Sequence, residues 1–280
     1  MSQIHWFPGH MKKALNNITE KTKMVDVIIE ILDARAPRSS MNPDLEKAIQ
    51  NKKRLAVLSK ADLADPNQTS LWSEILKKEF DAFVVLNLTD PKSTKILSQE
   101  VSKLGIEKHQ KEIAKGMKPQ PIKTMIIGIP NVGKSSLINR IANKKAAGVQ
   151  NKPGYTRGEQ FIKVDKDFIL LDTPGVLPMN YEDKKVATNL ALIGSIREEI
   201  LPNEVLVKSL LILLRDYYPS SLKEKYEIEV IEDDQTVLNK IAKRRGLMIS
   251  GEYDLVRAES TLLKDFKDGK LGRITVDRIK

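Results

Sequence analysis

Short apolar runs alternate with amphipathic stretches through the first two-thirds of the chain. Residues 25–32 (VDVIIEIL), 55–58 (LAVL), 83–86 (FVVL), 124–129 (TMIIGI) and 168–171 (FILL) are rich in β-branched residues and bounded by turn-forming or charged positions. That pattern predicts buried strands. Helical spacing of apolar positions predicts helices over 11–23, 43–50, 70–80, 93–104 and 135–142. Strand–helix alternation implies an α/β fold, a mostly parallel sheet covered on both faces. Residues 161–164 precede the FILL run closely enough to pair with it as a hairpin.

The pattern changes after Pro178. Residues 182–200, 203–218, 233–245 and 254–268 all read as helices, with Asn203 placed to cap its helix and Gly246 and Gly269 suited to helix ends. Val207, Leu210, Leu211 and Leu214 form one apolar stripe, the pattern of a core face. Two domains are expected: an α/β domain over 1–177, its core starting near residue 15, and a small all-helical domain over 178–280. Residues 115–121 (KGMKPQP) read as a hinge inside the first.

Composition narrows the classes. Of 280 residues 41% are apolar and 30% charged, enough for a core and too apolar for general disorder. The absence of cysteine excludes disulfides, iron–sulfur sites and a thiol nucleophile, and three histidines make an all-histidine metal site unsupported. No apolar run reaches membrane-spanning length, and the first residues lack the apolar core of a signal peptide. A cytoplasmic protein without membrane contact is expected.

The net charge is +10, and residues 1–177 hold all of it: 29 Lys and Arg against 19 Asp and Glu, compared with 18 against 18 afterwards. Residues 134–157 carry Lys134, Arg140, Lys144, Lys145, Lys152 and Arg157 with no acid between them. A cationic window of this kind points to an anionic partner. Lys243, Arg244 and Arg245 are further RNA-facing candidates; a solvated helix face is the competing reading.

That basic window surrounds the sequence Gly128-Ile129-Pro130-Asn131-Val132-Gly133-Lys134-Ser135, a GxxxxGKS phosphate loop between a strand and a helix. Glycines let the backbone wrap a phosphate, and successive N–H groups at the helix start, through Ser136, stabilise its charge. Lys134 would reach the β- and γ-phosphates and Ser135 would hold magnesium. Asp172-Thr173-Pro174-Gly175 follows the FILL strand, where Asp172 can support magnesium and the Gly175 amide can meet a γ-phosphate. Ser59-Lys60-Ala61-Asp62 ends the LAVL strand and is similar to the guanine-reading NKxD box, with serine where asparagine is usual. A carboxylate at Asp62 would accept from guanine N1 and N2, a pair adenine lacks. Asn87-Leu88 ends the next strand and would lie along the base edge.

Here the guanine box precedes the phosphate loop, the reverse of the usual order. A sheet's ligand crevice depends on which strand ends meet, so the set reads as a circularly permuted P-loop GTPase domain. With Trp6-Phe7-Pro8-Gly9-His10-Met11, Asp33-Ala34-Arg35 and Pro153-Gly154-Tyr155-Thr156, the chain resembles the ribosome biogenesis GTPase A family over essentially its whole length. The resemblance implies GTP hydrolysis, binding to the precursor of the large ribosomal subunit and its ribosomal RNA, and stimulation by that particle. No DNA partner is expected, and a monomer is expected off the ribosome. Val176 stands where many small GTPases place a water-orienting glutamine, and the resemblance offers His10 instead. It also implies a potassium ion held partly by Asn131, and Thr156 as the first switch, closing on magnesium and γ-phosphate. Three other readings compete: a permuted GTPase for another client such as the small subunit, an RNA-binding module with incidental turnover, and, more distantly, an ATPase.

Overall fold

The computed structural model describes residues 9–49, 51–88, 90, 92–146, 161–164, 166, 168–171, 176, 183–196, 201–229 and 232–279; for 9–11, 141–146 and 161 it describes the backbone alone. A six-stranded sheet is built from β1 (Val27–Asp33), β2 (Lys53–Ser59), β3 (Ala82–Val85), β4 (Ile122–Ile127), β5 (Phe161–Lys163) and β6 (Phe168–Leu171). Its order is β3-β2-β1-β4-β6-β5, parallel except for the β5–β6 hairpin at one edge. Every residue of β1 is buried, as expected of a central strand with both faces covered. The chain leaves β1 toward β2 and leaves β4 toward β6. The β1–β4 boundary is therefore the topological switch point, and its carboxyl end is where a ligand crevice forms.

The helices over this sheet are α1 (Gly9–Thr22), α2 (Pro43–Ala48), α3 (Pro66–Glu79), α4 (Ser93–Leu104), α5 (Ile106–Ala114) and α6 (Lys134–Ala146). Helices α2 and α3 each begin with a side-chain cap followed by proline: Asn42 Oδ1 accepts from the amides of Asp44 and Leu45, and Asp65 from those of Asn67 and Gln68. Helix α5 is absent from the sequence expectation; it buries no residue, and its apolar positions Ile106 and Ile113 are exposed. Residues 115–121 form the irregular connection after it.

The C-terminal section contains α7 (Lys184–Leu192), α8 (Asn203–Tyr217), α9 (Ser220–Tyr226), α10 (Asp234–Arg245) and α11 (Leu255–Lys267). It also carries a hairpin of β7 (Met248–Ile249) and β8 (Glu252–Tyr253), so it is not wholly helical. Asn203 does not cap α8; Pro202 occupies the cap position, and the Asn203 amide donates to Ser260 Oγ. Gly246 ends α10 at φ 63°, the left-handed conformation glycine tolerates. The stripe at Val207, Leu210, Leu211 and Leu214 is buried, in a cluster continuous with sheet residues such as Ile29, Ile126 and Leu170. The helical section thus shares a core with the sheet. No described helix is long and apolar enough to cross a membrane.

Candidate functional site

The phosphate loop lies at the switch point. It leaves β4 at Gly128 and enters α6 at Lys134. Gly128 has φ 148°, and a Cβ there would sit 2.7 Å from the Ile31 carbonyl oxygen of β1. Only glycine lets the loop lie this close to the neighbouring strand. Gly133 has φ 105°, and its Cβ would meet Leu88 Cδ1 at 2.6 Å. Lys134 is buried, and its Nζ donates to the carbonyls of Gly128 (3.1 Å) and Ile129 (2.7 Å). Ser135 and Ser136 lie exposed on the first turn of α6, where helix N–H groups face outward.

Residues 59–62, similar to a guanine box, reach the same place from β2. Ser59 is fully buried, with its Oγ 2.7 Å from the Val132 carbonyl oxygen and 2.9 Å from that of Leu32. One hydroxyl proton serves these acceptors one at a time, so serine retains a tie to the phosphate loop in place of asparagine. Lys60, at φ 55°, donates from Nζ to the Asn131 carbonyl at 2.6 Å. Loops about 70 residues apart in the chain therefore touch through two side chains. Asp62 is exposed, and its carboxylate has no partner among the described residues. Asn87 is exposed beside this loop's strand, whereas Leu88 is buried and supports Gly133 from beneath.

Behind the loops lies a buried charge network that sequence reasoning left unassigned. The Asp33 carboxylate accepts from Arg35 Nε (3.0 Å) and Nη2 (2.9 Å) and pairs with Lys60 Nζ at 2.9 Å. Burial pushes the Asp33 carboxyl up, but the charges of Arg35 and Lys60 overcome that and hold it below its ordinary value. Arg35 also donates to the carbonyls of Ile193 (3.1 Å) and Lys267 (3.3 Å), linking the network to the helical section. Asn131 Nδ2 makes a parallel link to the Gly194 carbonyl at 2.8 Å.

Val176 is buried among Leu15, Ile28 and Met125, so its side chain holds the core and orients no water. Its backbone is tied at both ends: the N–H donates to the Gly128 carbonyl at 3.3 Å, and the carbonyl accepts from Asn42 Nδ2 at 3.0 Å. Asn42 thus caps α2 and anchors Val176 with one side chain. Its only sequence signal was an asparagine before Pro43.

Lys152, Thr156, Arg157, Asp172 and Gly175 lie outside the described residues, as do the side chains of His10 on α1 and of Lys144 and Lys145 on α6. Among the remaining RNA-facing candidates, Lys243 is exposed at the end of α10. Arg244 and Arg245 are not free cations: Arg244 pairs with Glu227 at 2.7 Å and Arg245 with Asp265 at 2.6 Å. The Arg244–Glu227 pair is exposed on both sides and weak enough to exchange for phosphate, whereas Arg245 is held by a buried carboxylate.

A family model described as "50S ribosome-binding GTPase" matches residues 123–246. Ribosome biogenesis GTPase A of Bacillus cereus is 41% identical over 276 residues, covering 98% of this chain and 93% of that one. Its counterpart in Priestia megaterium is 40% identical, covering 98% and 96%. A crystal structure of GNP-bound YlqF from T. maritima shares the fold, with a TM-score of 0.67 and 24% identity over 95% of this chain and 98% of that chain. With a phosphate loop met by a segment similar to a guanine box that precedes it in the chain, and relatives this similar along nearly its whole length, the chain belongs to the ribosome biogenesis GTPase A family and hydrolyses GTP.

Proposed function

We propose that this GTPase acts on the precursor of the large ribosomal subunit, promoting a late assembly step, and that the particle stimulates hydrolysis. The observation that carries the site reading is the contact of Ser59 and Lys60 with Val132 and Asn131. It supports a site in which Asp62 reads the base beside the phosphate loop. The relatives' printed names support the ribosomal client.

In this reading Asp62 accepts from guanine N1–H and N2–H, and Lys134 with the amides of 131–136 stabilises charge on the β- and γ-phosphates. The hard oxygen donor Ser135, exposed at the head of α6, suits magnesium, with Asp172 and Thr156 as its other protein-side partners. Held there, magnesium would supply positive charge opposite the phosphates. Asn131 also suits a potassium ion: its Nδ2 is spent on Gly194, while its Oδ1 accepts no bond from the described residues. The Gly175 amide meets the γ-phosphate, and loss of that phosphate releases the segment leading into the helical section. His10 orients the attacking water when the N-terminal segment closes over the nucleotide on the particle.

Residues 178–280 form the ribosome-contacting unit, with Lys243, Arg244 and Arg245 on one RNA-facing surface. Lys144, Lys145, Lys152 and Arg157 form another, beside the phosphate loop. Off the particle the protein is a cytoplasmic monomer.

The test is single-turnover GTP hydrolysis in potassium buffer with purified large or small subunits, for wild type and His10→Ala. Stimulation by large subunits alone, lost in His10→Ala while GTP binding persists, is expected. Absence of stimulation by large subunits would overturn the assignment of client.

A further inference from the structure

The end of the chain runs back over the guanine loop. Arg273 Nη2 donates to the Ala61 carbonyl at 2.7 Å, and its Nε donates to the Ala64 carbonyl at 2.9 Å. The Ile274 N–H donates to the Leu63 carbonyl at 3.0 Å, and Thr275 Oγ1 accepts from the Asp65 N–H at 3.1 Å. Three successive tail residues therefore bond four of the five residues 61–65, the stretch that carries Asp62. Gly269 makes room for this contact: a Cβ there would lie 2.6 Å from Leu63 Cδ2.

The strap is firmly rooted beyond the loop. The Val276 N–H donates to the Arg35 carbonyl at 2.7 Å, and Trp72 Nε1 donates to the Asp277 carbonyl at 2.7 Å. The buried Asp277 carboxylate accepts from the Ser39 N–H, the Ser39 hydroxyl and the Asn189 amide. On the other side of Asp62, Lys60 is fixed to the phosphate loop at Asn131. Asp62 thus sits between two anchored points while its own carboxylate makes no protein contact among the described residues. A carboxylate that must meet two N–H groups on a purine edge gains its selectivity from such placement, because a small displacement leaves one of them unpaired.

We propose that the C-terminal strap, chiefly Arg273, is a positioning element for guanine recognition: it presets the Asp62 loop, so base selectivity depends on the far end of the chain. This rests on Asp62 being the guanine reader.

The test compares GDP with inosine diphosphate, which keeps the phosphates, sugar and N1–H but lacks the 2-amino group. Phosphate-loop contributions then cancel in the ratio of the two affinities. Arg273→Ala should weaken GDP about tenfold, the loss expected if the displaced Asp62 leaves one charge-assisted bond to the guanine edge unmade, and weaken inosine diphosphate less, shrinking the preference. Arg273→Lys keeps the charge without the two-pronged donor and should recover part of the preference. Melting temperatures accompany both variants, because a merely structural role would lower stability and leave the preference of the folded protein intact. Asp62→Asn is measured alongside. If Asp62→Asn loses GDP and the Arg273 variants keep the full preference, the strap proposal is overturned and the guanine reading stands. If Asp62→Asn keeps GDP affinity, the guanine reading falls and the strap's role falls with it.

Discussion

Arg35→Ala should be among the most damaging single changes outside the nucleotide-contacting loops. The Asp33 and Arg35 side chains are 0% and 3% exposed, so the pair is fully desolvated. The substitution removes both guanidinium bonds to Asp33 and the bonds to the Ile193 and Lys267 carbonyls. Breaking a buried ion pair by deleting one partner costs about 3–5 kcal/mol, because the other charge is stranded. Lys60 remains 2.9 Å from the stranded carboxylate and compensates in part, which places the cost near the lower end, about 3 kcal/mol. For a chain of this length that corresponds to a fall in Tm of about 6 °C, at roughly 2 °C per kcal/mol. Urea unfolding and calorimetry on Arg35→Ala, Asp33→Asn and the double variant measure it. The double variant should lose clearly less than the sum of the single ones, since removing both charges strands neither. Additive losses, or an Arg35→Ala cost below about 1 kcal/mol, would refute the reasoning.

Ser59→Ala should cost about 1 kcal/mol of stability through the lost buried hydroxyl bond and weaken GDP severalfold, measured by urea unfolding and nucleotide titration. Asn42→Ala removes a helix cap worth about 1 kcal/mol and the tie to the Val176 carbonyl; GDP affinity should hold while single-turnover hydrolysis slows. The folded Asp33 pKa lies below its ordinary 3.8, so its stabilisation is fully present above that pH and is lost as the pH falls through the folded value. Burial raises the Asp277 pKa, so its contribution has the opposite sign: full below 3.8 and lost as pH rises through the raised value. Urea unfolding from about pH 5 down to about pH 2 should show the Asp33 acid limb flattened in Arg35→Ala.

The strands were legible because they leave short, β-branched runs between polar boundaries; β6 at Phe168–Leu171 begins and ends where FILL does, whereas β3, expected to be buried, is an edge strand that is only half-buried, with Val85 exposed. The junction of Lys60 with Asn131 was legible too, since both residues belong to motifs whose chemistry requires them near one nucleotide. What stayed hidden has no pattern of its own. Helix α5 buries nothing, and the β7 and β8 strands are two exposed residues each. The strap joins residue 273 to carbonyls more than 200 positions earlier through backbone acceptors, which carry no side-chain signature. Asp33 and Arg35 stood out only through a resemblance, because an ion pair across a turn looks like any two charged residues. Arg244 and Arg245 looked available on a helix face, and only the fold brings Glu227 and Asp265 to meet them.

In the proposed function, a guanine-reading loop and a phosphate loop, in permuted order, form one site around Asp62 and Lys134. Xanthine carries a carbonyl where guanine carries its 2-amino group, so an asparagine amide at position 62 would donate where the aspartate accepts. The most direct measurement is single-turnover hydrolysis of GTP and of xanthosine triphosphate by wild type and Asp62→Asn. The variant should lose GTP and gain xanthosine triphosphate as substrate. Continued preference for GTP in the variant would contradict the proposed site.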